Sequence, residues 1–224
     1  MRTNAIILAA GKSLRAKTNK QFFKIKDRYL IEITLEKFLR VNSIKKIILA
    51  LSKENLKKYG DIFKDKRITV VEGGATRIAS LMKSSLFIEK DADVVMVHDG
   101  ARPFVSEKLI KKIEKETLKY GAVVPVMDLK DTVKEIKNNL VLKTLNRDNL
   151  KSAQTPQSYT LKIFEKLISR IKNLDSNPSD DAQLIEKIIP VHIVEGEETN
   201  IKITTPLDLK IAEVIYEETE KKNN

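Results

Sequence analysis

Residues 4–21, Asn-Ala-Ile-Ile-Leu-Ala-Ala-Gly-Lys-Ser-Leu-Arg-Ala-Lys-Thr-Asn-Lys-Gln, decide how this chain is read. An apolar run from Ala5 to Leu8 stops at Ala9-Ala10-Gly11, and the loop that follows carries Lys12, Arg15, Lys17 and Lys20. Small residues at the end of a buried strand let backbone N–H groups approach an anion, and the cations neutralise it. The stretch therefore points to an α/β protein that grips phosphate; the plainer alternative is a surface loop in a lysine-rich chain. Neither common phosphate motif is present. A P-loop would need glycine at Ile6, and the dinucleotide pattern G-x-G-x-x-G fails at Ser13 and Ala16.

Outward from this stretch, strand and helix patterns alternate. Apolar strand candidates are 4–9, 45–51, 67–71, 93–98, 121–126 and 189–194. Helical periodicity places Leu109, Ile110, Ile113 and Leu118 on one face of 106–119, and Phe164, Leu167, Ile168 and Ile171 on one face of 160–171. It also places Leu207, Ile211 and Ile215 together in 206–219, and a further helix is expected near 76–89. Ser106 and the Thr205-Pro206-x-Asp208 run read as helix starts. Alternation of this kind predicts a mostly parallel sheet with helices on both faces, and a ligand beyond the carboxyl ends of its strands. One segment breaks the pattern. In residues 130–149, Asn138-Asn139 separates two β-rich runs and predicts a hairpin arm. The arm either leans on its own sheet or exchanges contacts with a second subunit.

Composition narrows the function. The chain has 224 residues, enough for one α/β domain, with 42% hydrophobic and 33% charged residues. Its apolar runs are too short to span a membrane, and no signal-peptide pattern follows Met1. There is no cysteine, which excludes disulfides and thiolate chemistry and fits the cytoplasm. The net charge is +11, but lysines alternate with glutamates along the helices and aromatics are only 5%. That pattern argues for solvated faces plus a phosphate site, and against nucleic-acid binding.

The expected ligand loops hold the remaining candidates. Glu72-Gly73-Gly74-Ala75-Thr76-Arg77-Ile78-Ala79-Ser80 offers two glycines for close approach to a ligand, with Arg77 and Ser80 on one helical turn. In His98-Asp99-Gly100-Ala101-Arg102-Pro103, Asp99 ends a strand and could hold Mg²⁺, accept bonds from hydroxyls, or cap a turn; His98 reads as structural. Gln154-Thr155-Pro156-Gln157 and Ser179-Asp180-Asp181-Ala182 read as polar breaks before helices, with the aspartates as caps ahead of metal ligands. Lys202 is either a solvated strand residue or a phosphate contact. No covalent nucleophile is visible, whereas cations abound: Arg15, Lys20, Arg77, Arg102, Arg147 and Lys202. They suit a phosphate monoester that attacks a nucleotide α-phosphorus. Its second pKa is about 6, so it is already ionised and needs positioning and charge neutralisation, not a general base.

Ala9-Ala10-Gly11-(x)₃-Arg15-(x)₄-Lys20-Gln21 resembles the signature loop of the sugar-nucleotide pyrophosphorylase nucleotidyltransferases. The ordered set that follows narrows this: Gly73-Gly74-(x)₂-Arg77-(x)₂-Ser80, Val97-His98-Asp99-Gly100-Ala101-Arg102-Pro103, Asp131-Thr132, Arg147-Asp148, Thr155-Pro156-Gln157, Asp180-Asp181-Ala182, Val194-Glu195-Gly196 and Asn200-Ile201-Lys202-Ile203-Thr204. Over essentially the whole chain it resembles the 2-C-methyl-D-erythritol 4-phosphate cytidylyltransferase family of the non-mevalonate isoprenoid pathway. Asn19 stands where that family usually has proline, Ala75 where an acidic residue is frequent, and Gly100 where alanine is common.

The resemblance implies a single cytidylyltransferase domain over residues 1–224, with a three-layer Rossmann-like fold and a dimerisation arm at about 130–150. It implies transfer of CMP from CTP to methylerythritol phosphate with Mg²⁺, in a homodimer whose sites are shared across the interface. Arg15 and Lys20 would stabilise the charge that builds on the α-phosphate. Ala10, Gly11, Gly73, Gly74, Arg77 and Ser80 would bind the nucleotide. Asp99, Arg102 and Thr132 would lie beside the acceptor, with Asp99 also near the metal. Lys202, and Arg147 from the partner subunit, would hold the acceptor phosphate. The alternatives are a relative that uses another polyol phosphate, such as ribitol 5-phosphate, and a non-catalytic nucleotide sensor.

Overall fold

The computed structural model of the chain describes residues 1–11, 20–171 and 180–223. In chain order these form β1 (Thr3–Ala9), β2 (Lys24–Ile25), β3 (Arg28–Tyr29), α1 (Leu30–Leu39), β4 (Ile44–Leu51), α2 (Lys53–Tyr59), β5 (Ile68–Glu72), α3 (Arg77–Ser85) and β6 (Val94–Asp99). There follow α4 (Glu107–Tyr120), β7 (Ala122–Asp128), β8 (Lys134–Lys137), β9 (Leu140–Thr144), β10 (Lys151–Ala153), β11 (Gln157–Thr160), α5 (Leu161–Ile171), β12 (His192–Glu195) and α6 (Pro206–Asn223).

The main sheet runs β10-β7-β11-β6-β1-β4-β5, with β12 beside β7. β1 lies parallel to β4 and β6, β4 to β5, and β12 to β7, whereas β10 and β11 run antiparallel to their neighbours. A central strand that is apolar at consecutive positions must be covered on both faces, and β1 is. Ala5, Ile7 and Ala9 pack toward Ile31, Leu35 and Phe38 of α1 and Leu109, Ile110 and Ile113 of α4. Ile6 packs on the opposite face with Ile78 and Leu81 of α3 and Phe164, Leu167 and Ile171 of α5. The result is a helix–sheet–helix sandwich, as expected from the alternation. Among the described residues no helix is long and apolar enough to cross a membrane.

Four expectations change. The polar run Gln154–Gln157 does not simply precede a helix, because Gln157 opens β11, whose Gln157, Ser158 and Tyr159 are all buried between β6 and β7. The strand expected at 189–194 is shorter, His192–Glu195. The inward face of α6 keeps Ile215 of the expected Leu207–Ile211–Ile215 set but not Leu207 or Ile211, and adds Leu209. Leu207 is 65% exposed, while Ala212 and Tyr216 are buried against Ile25, Leu30, Ile33 and Phe104. Ala212 lets the helix approach closely, so the helix turns its small and aromatic residues inward. Leu118 of α4 likewise faces solvent, 50% exposed.

The arm is a hairpin, as the sequence predicts. β8 and β9 pair antiparallel in a sheet of their own, and both are exposed along their length. Asn138 and Asn139 have φ of 49° and 64°. Two consecutive positive φ values are what a two-residue turn needs to match strand twist, and asparagine tolerates them.

Candidate functional site

The carboxyl ends of β1, β5 and β6 meet at a cavity of about 240 Å³, lined by Ala10 and Gly11 after β1, Gly74 and Arg77 after β5, Asp99 of β6, and Lys202. The loops singled out in the sequence thus converge from far apart in the chain. Arg15 lies outside the described residues, as does the side chain of Lys20.

The glycine pair packs a loop onto β1. A Cβ on Gly73 would sit 2.3 Å from the Ala10 Cβ, and one on Gly74 would sit 2.3 Å from the Ala79 Cβ. Gly73 N–H extends the β4 ladder by donating to Leu51 O at 2.7 Å. Ser80, expected to bind nucleotide directly, braces this loop. Its Oγ accepts from Gly74 N at 3.0 Å and donates to Thr76 O at 2.9 Å, although the residue also lines the cavity. Thr76 caps α3 by accepting from Ala79 N at 3.0 Å. Ala75 presents a methyl to the cavity where a carboxylate was expected in this family.

Asp99 is the electrostatic centre. Lys202 Nζ lies 2.8 Å from its Oδ2, Arg102 Nε 3.6 Å from the same oxygen, and Arg77 Nε 3.4 Å from Oδ1. Burial alone would raise this carboxyl, but Lys202 and then Arg77 outweigh burial and hold it well below the usual carboxylate range. Lys202 therefore lines the cavity, paired with Asp99, and lies outside any strand. Arg102 sits behind Asp99, with Nη1 donating to Asn200 O at 2.7 Å.

At the turn that starts at Ala182, Asp180 supplies the capping bond and the Asp181 side chain makes none. Fully buried, it forms a hydrogen-bonded ion pair with Arg77 across 104 residues of sequence, while Asp180 Oδ1 accepts from Ala182 N at 2.7 Å. Burial pushes the Asp181 carboxyl up against the pull of Arg77, with Asp180 and Asp99 adding to the rise. The guanidinium is held above its ordinary value, because Asp181 and then Asp99 outweigh its own burial. Asp181 stands in a motif marked in the sequence, but nothing local signals its partner.

His98 is excluded as a base. It is fully buried, and burial lowers its pKa to about 4 against the smaller raising effects of its neighbours. Both ring nitrogens are taken, Nε2 by Arg102 O at 2.9 Å and Nδ1 by Thr155 Oγ at 3.0 Å.

Two candidates stand apart from the cavity. Thr132 is exposed at the foot of the arm. Arg147 is exposed too, its Nη1 donating to Lys130 O at 2.7 Å within the same chain. Among the described residues no cluster of three or more His, Cys, Asp or Glu side chains is arranged to hold a metal ion.

Known proteins resemble this chain over nearly its whole length. Residues 3–218 match the family model described as 2-C-methyl-D-erythritol 4-phosphate cytidylyltransferase. A protein of that description from Clostridium novyi is 39% identical over 225 residues, covering 95% of this chain and 96% of its own. Another from Clostridium tetani is 40% identical over 217 residues, covering 93% of this chain and 88% of its own. The crystal structure of 4-diphosphocytidyl-2C-methyl-D-erythritol synthase from Anaerococcus prevotii superposes with a TM-score of 0.86 at 34% identity, covering 96% of each chain.

Proposed function

Because the chain belongs to the 2-C-methyl-D-erythritol 4-phosphate cytidylyltransferase family, we propose that the cavity at the ends of β1, β5 and β6 is its active site and that the cations around Asp99 are its phosphate-handling groups. The chain is a CTP-dependent nucleotidyltransferase. It transfers the CMP moiety of CTP to 2-C-methyl-D-erythritol 4-phosphate, releasing pyrophosphate, in isoprenoid precursor synthesis. The observation that carries the site assignment is Lys202 and Arg77 converging on Asp99 at the cavity wall.

The acceptor phosphate is the nucleophile. It attacks the CTP α-phosphorus, the bond to the bridging oxygen breaks, and pyrophosphate leaves. No proton has to be removed, in keeping with a site whose buried histidine has both nitrogens engaged. Ala10, Gly11 and the Gly73-Gly74 loop take the nucleotide, and Arg77 and Lys202 supply positive charge to the phosphates. Arg15 and Lys20 stabilise the charge that develops as pyrophosphate departs. Asp99 and Arg102 face the acceptor hydroxyls and phosphate. Mg²⁺ characteristically takes one or two carboxylates plus substrate phosphates. Asp99 is the carboxylate that lines the cavity among the described residues, so it would hold the ion carried by CTP, which neutralises phosphate charge when bound.

The reading includes a homodimer. Ile136, Leu140, Val141 and Leu142 of the arm are 66%, 70%, 60% and 56% exposed, and solvated apolar side chains at this density favour a partner surface. A second subunit would then bring Thr132 and Arg147 to the site they do not reach in one chain. The cysteine-free sequence supports a cytoplasmic enzyme.

The test is pyrophosphate release from CTP, Mg²⁺ and methylerythritol 4-phosphate, run beside ribitol 5-phosphate and beside UTP, ATP and GTP. Release is expected only with CTP and methylerythritol phosphate. Equal release with ribitol phosphate would overturn the acceptor assignment, and CTP binding without release would favour a sensor.

A further inference from the structure

We propose that His98 is a positioning residue for the acceptor end of the site: through Thr155 and the Arg102 carbonyl it fixes the turn that carries Asp99 and Arg102. The inference rests on the site assignment above.

Hydrogen-bond direction is forced at each step. A carbonyl only accepts, so the contact from His98 Nε2 to Arg102 O at 2.9 Å puts the ring proton on Nε2. A neutral ring then has a lone pair on Nδ1, and the Thr155 hydroxyl 3.0 Å away donates to it. With its O–H pointed at the ring nitrogen, Thr155 Oγ has a lone pair free to accept the Asp99 N–H at 3.1 Å. The chain of donation is Asp99 N–H to Thr155, Thr155 to His98, and His98 to Arg102 O. Its two ends are the two ends of one turn, closed on itself by Arg102 N–H donating to Asp99 O at 3.0 Å. The imidazole spans this turn from inside.

The relay is itself tied down. Asn200 Nδ2 donates to Thr155 O at 2.9 Å, Arg102 Nη1 returns a bond to Asn200 O at 2.7 Å, and Ile203 N–H donates to Ala101 O at 2.9 Å. The segment that carries Lys202 is thus registered on the same turn. The core alone does not ask for an imidazole here. Val94, Val95, Met96 and Val97, which precede it in β6, are all fully buried and apolar, and a buried ring costs desolvation unless both nitrogens are satisfied. Turn geometry is what the histidine supplies that an apolar residue would not.

Two measurements test this. In the wild-type protein at neutral pH, ring ¹H–¹⁵N correlations should show His98 neutral and protonated on Nε2; an Nδ1–H tautomer or a charged ring overturns the relay. In kinetics, Thr155→Val removes the hydroxyl and keeps the shape. It should raise the KM for the acceptor about tenfold, the worth of one lost buried hydrogen bond, with the KM for CTP little changed, and Thr155→Ser should restore it. No change, or equal rises in both KM values, counts against positioning. Asp99→Asn is measured alongside. If it leaves the acceptor KM unchanged, the site assignment fails. If it raises that KM while Thr155→Val does not, the relay alone fails.

Discussion

Acidification from pH 7 to pH 5 should cost the folded protein about 2 kcal/mol through a single group, His98. In the unfolded chain its pKa is near 6.5, and in the folded protein burial lowers it to about 4. The sign follows from which state binds the proton. Between these values the unfolded chain is protonated and the folded chain is not, so protons favour unfolding and stability falls with falling pH. The loss is slight at pH 7, approaches about 1.4 kcal/mol per pH unit below about pH 6, and levels off near the folded value. Guanidinium unfolding followed by far-UV circular dichroism at pH 7, 6 and 5 measures it. Asp99, held low by Lys202 and Arg77, lends stability that is present above its unfolded value of 3.8 and lost only as pH falls below it, outside this window. Asp181, raised by burial, acts in the opposite sense toward the acid end. The decisive quantity is therefore the difference between wild type and His98→Gln, which should lose the proton-linked slope. A flat wild-type curve, or the same slope in the variant, would refute the reasoning.

Other expected outcomes bear on the site directly. Asp181→Leu leaves Arg77 buried without its main partner and should destabilise the protein by about 3–5 kcal/mol, read from the urea midpoint. Gly73→Ala drives a methyl into Ala10 and should cost about 1–3 kcal/mol while weakening CTP binding measured by titration calorimetry. Lys20→Ala should lower turnover by about 10²–10³-fold with CTP affinity little changed; equal losses in both would contradict a transition-state role. Arg147→Ala mixed with Lys20→Ala should regain activity in heterodimers, and no recovery after verified subunit exchange would count against a shared site.

Much of this architecture was legible because the central strands announce themselves. β1, β4 and β6 are continuous apolar runs cut off by small or charged residues, and their ends mark the ligand loops without further information. The Asn138-Asn139 hairpin was legible for a different reason, since few residue pairs accept two positive φ values. β11 was hidden because its buried positions are Gln, Ser and Tyr. Gln157 is tolerable in the core only because its amide binds Asp180 at 2.8 Å and Ala182 N at 3.2 Å, partners that no local pattern reveals. α6 misled by periodicity: Leu207 and Ile211 are exposed, while Leu209 and Ile215 flank the buried Ala212 and Tyr216 at the interface. Asp181 escaped for the reason β11 did. Its role is defined by a residue 104 positions away.

The Asp99 cluster also bears on selectivity. Before substrate arrives, Lys202 and Arg77 already have anions of their own, Asp99 and Asp181. An incoming ligand gains only the difference between its own attraction for Lys202 and Arg77 and that of the resident carboxylates. Chloride or a lone phosphate, with few charges and few contacts, gains little by that exchange. A triphosphate and a phosphorylated polyol arriving together gain far more. The pocket of a chain with a net charge of +11 can in this way stay indifferent to the small anions around it and still release its lysine and arginine to the pair that reacts.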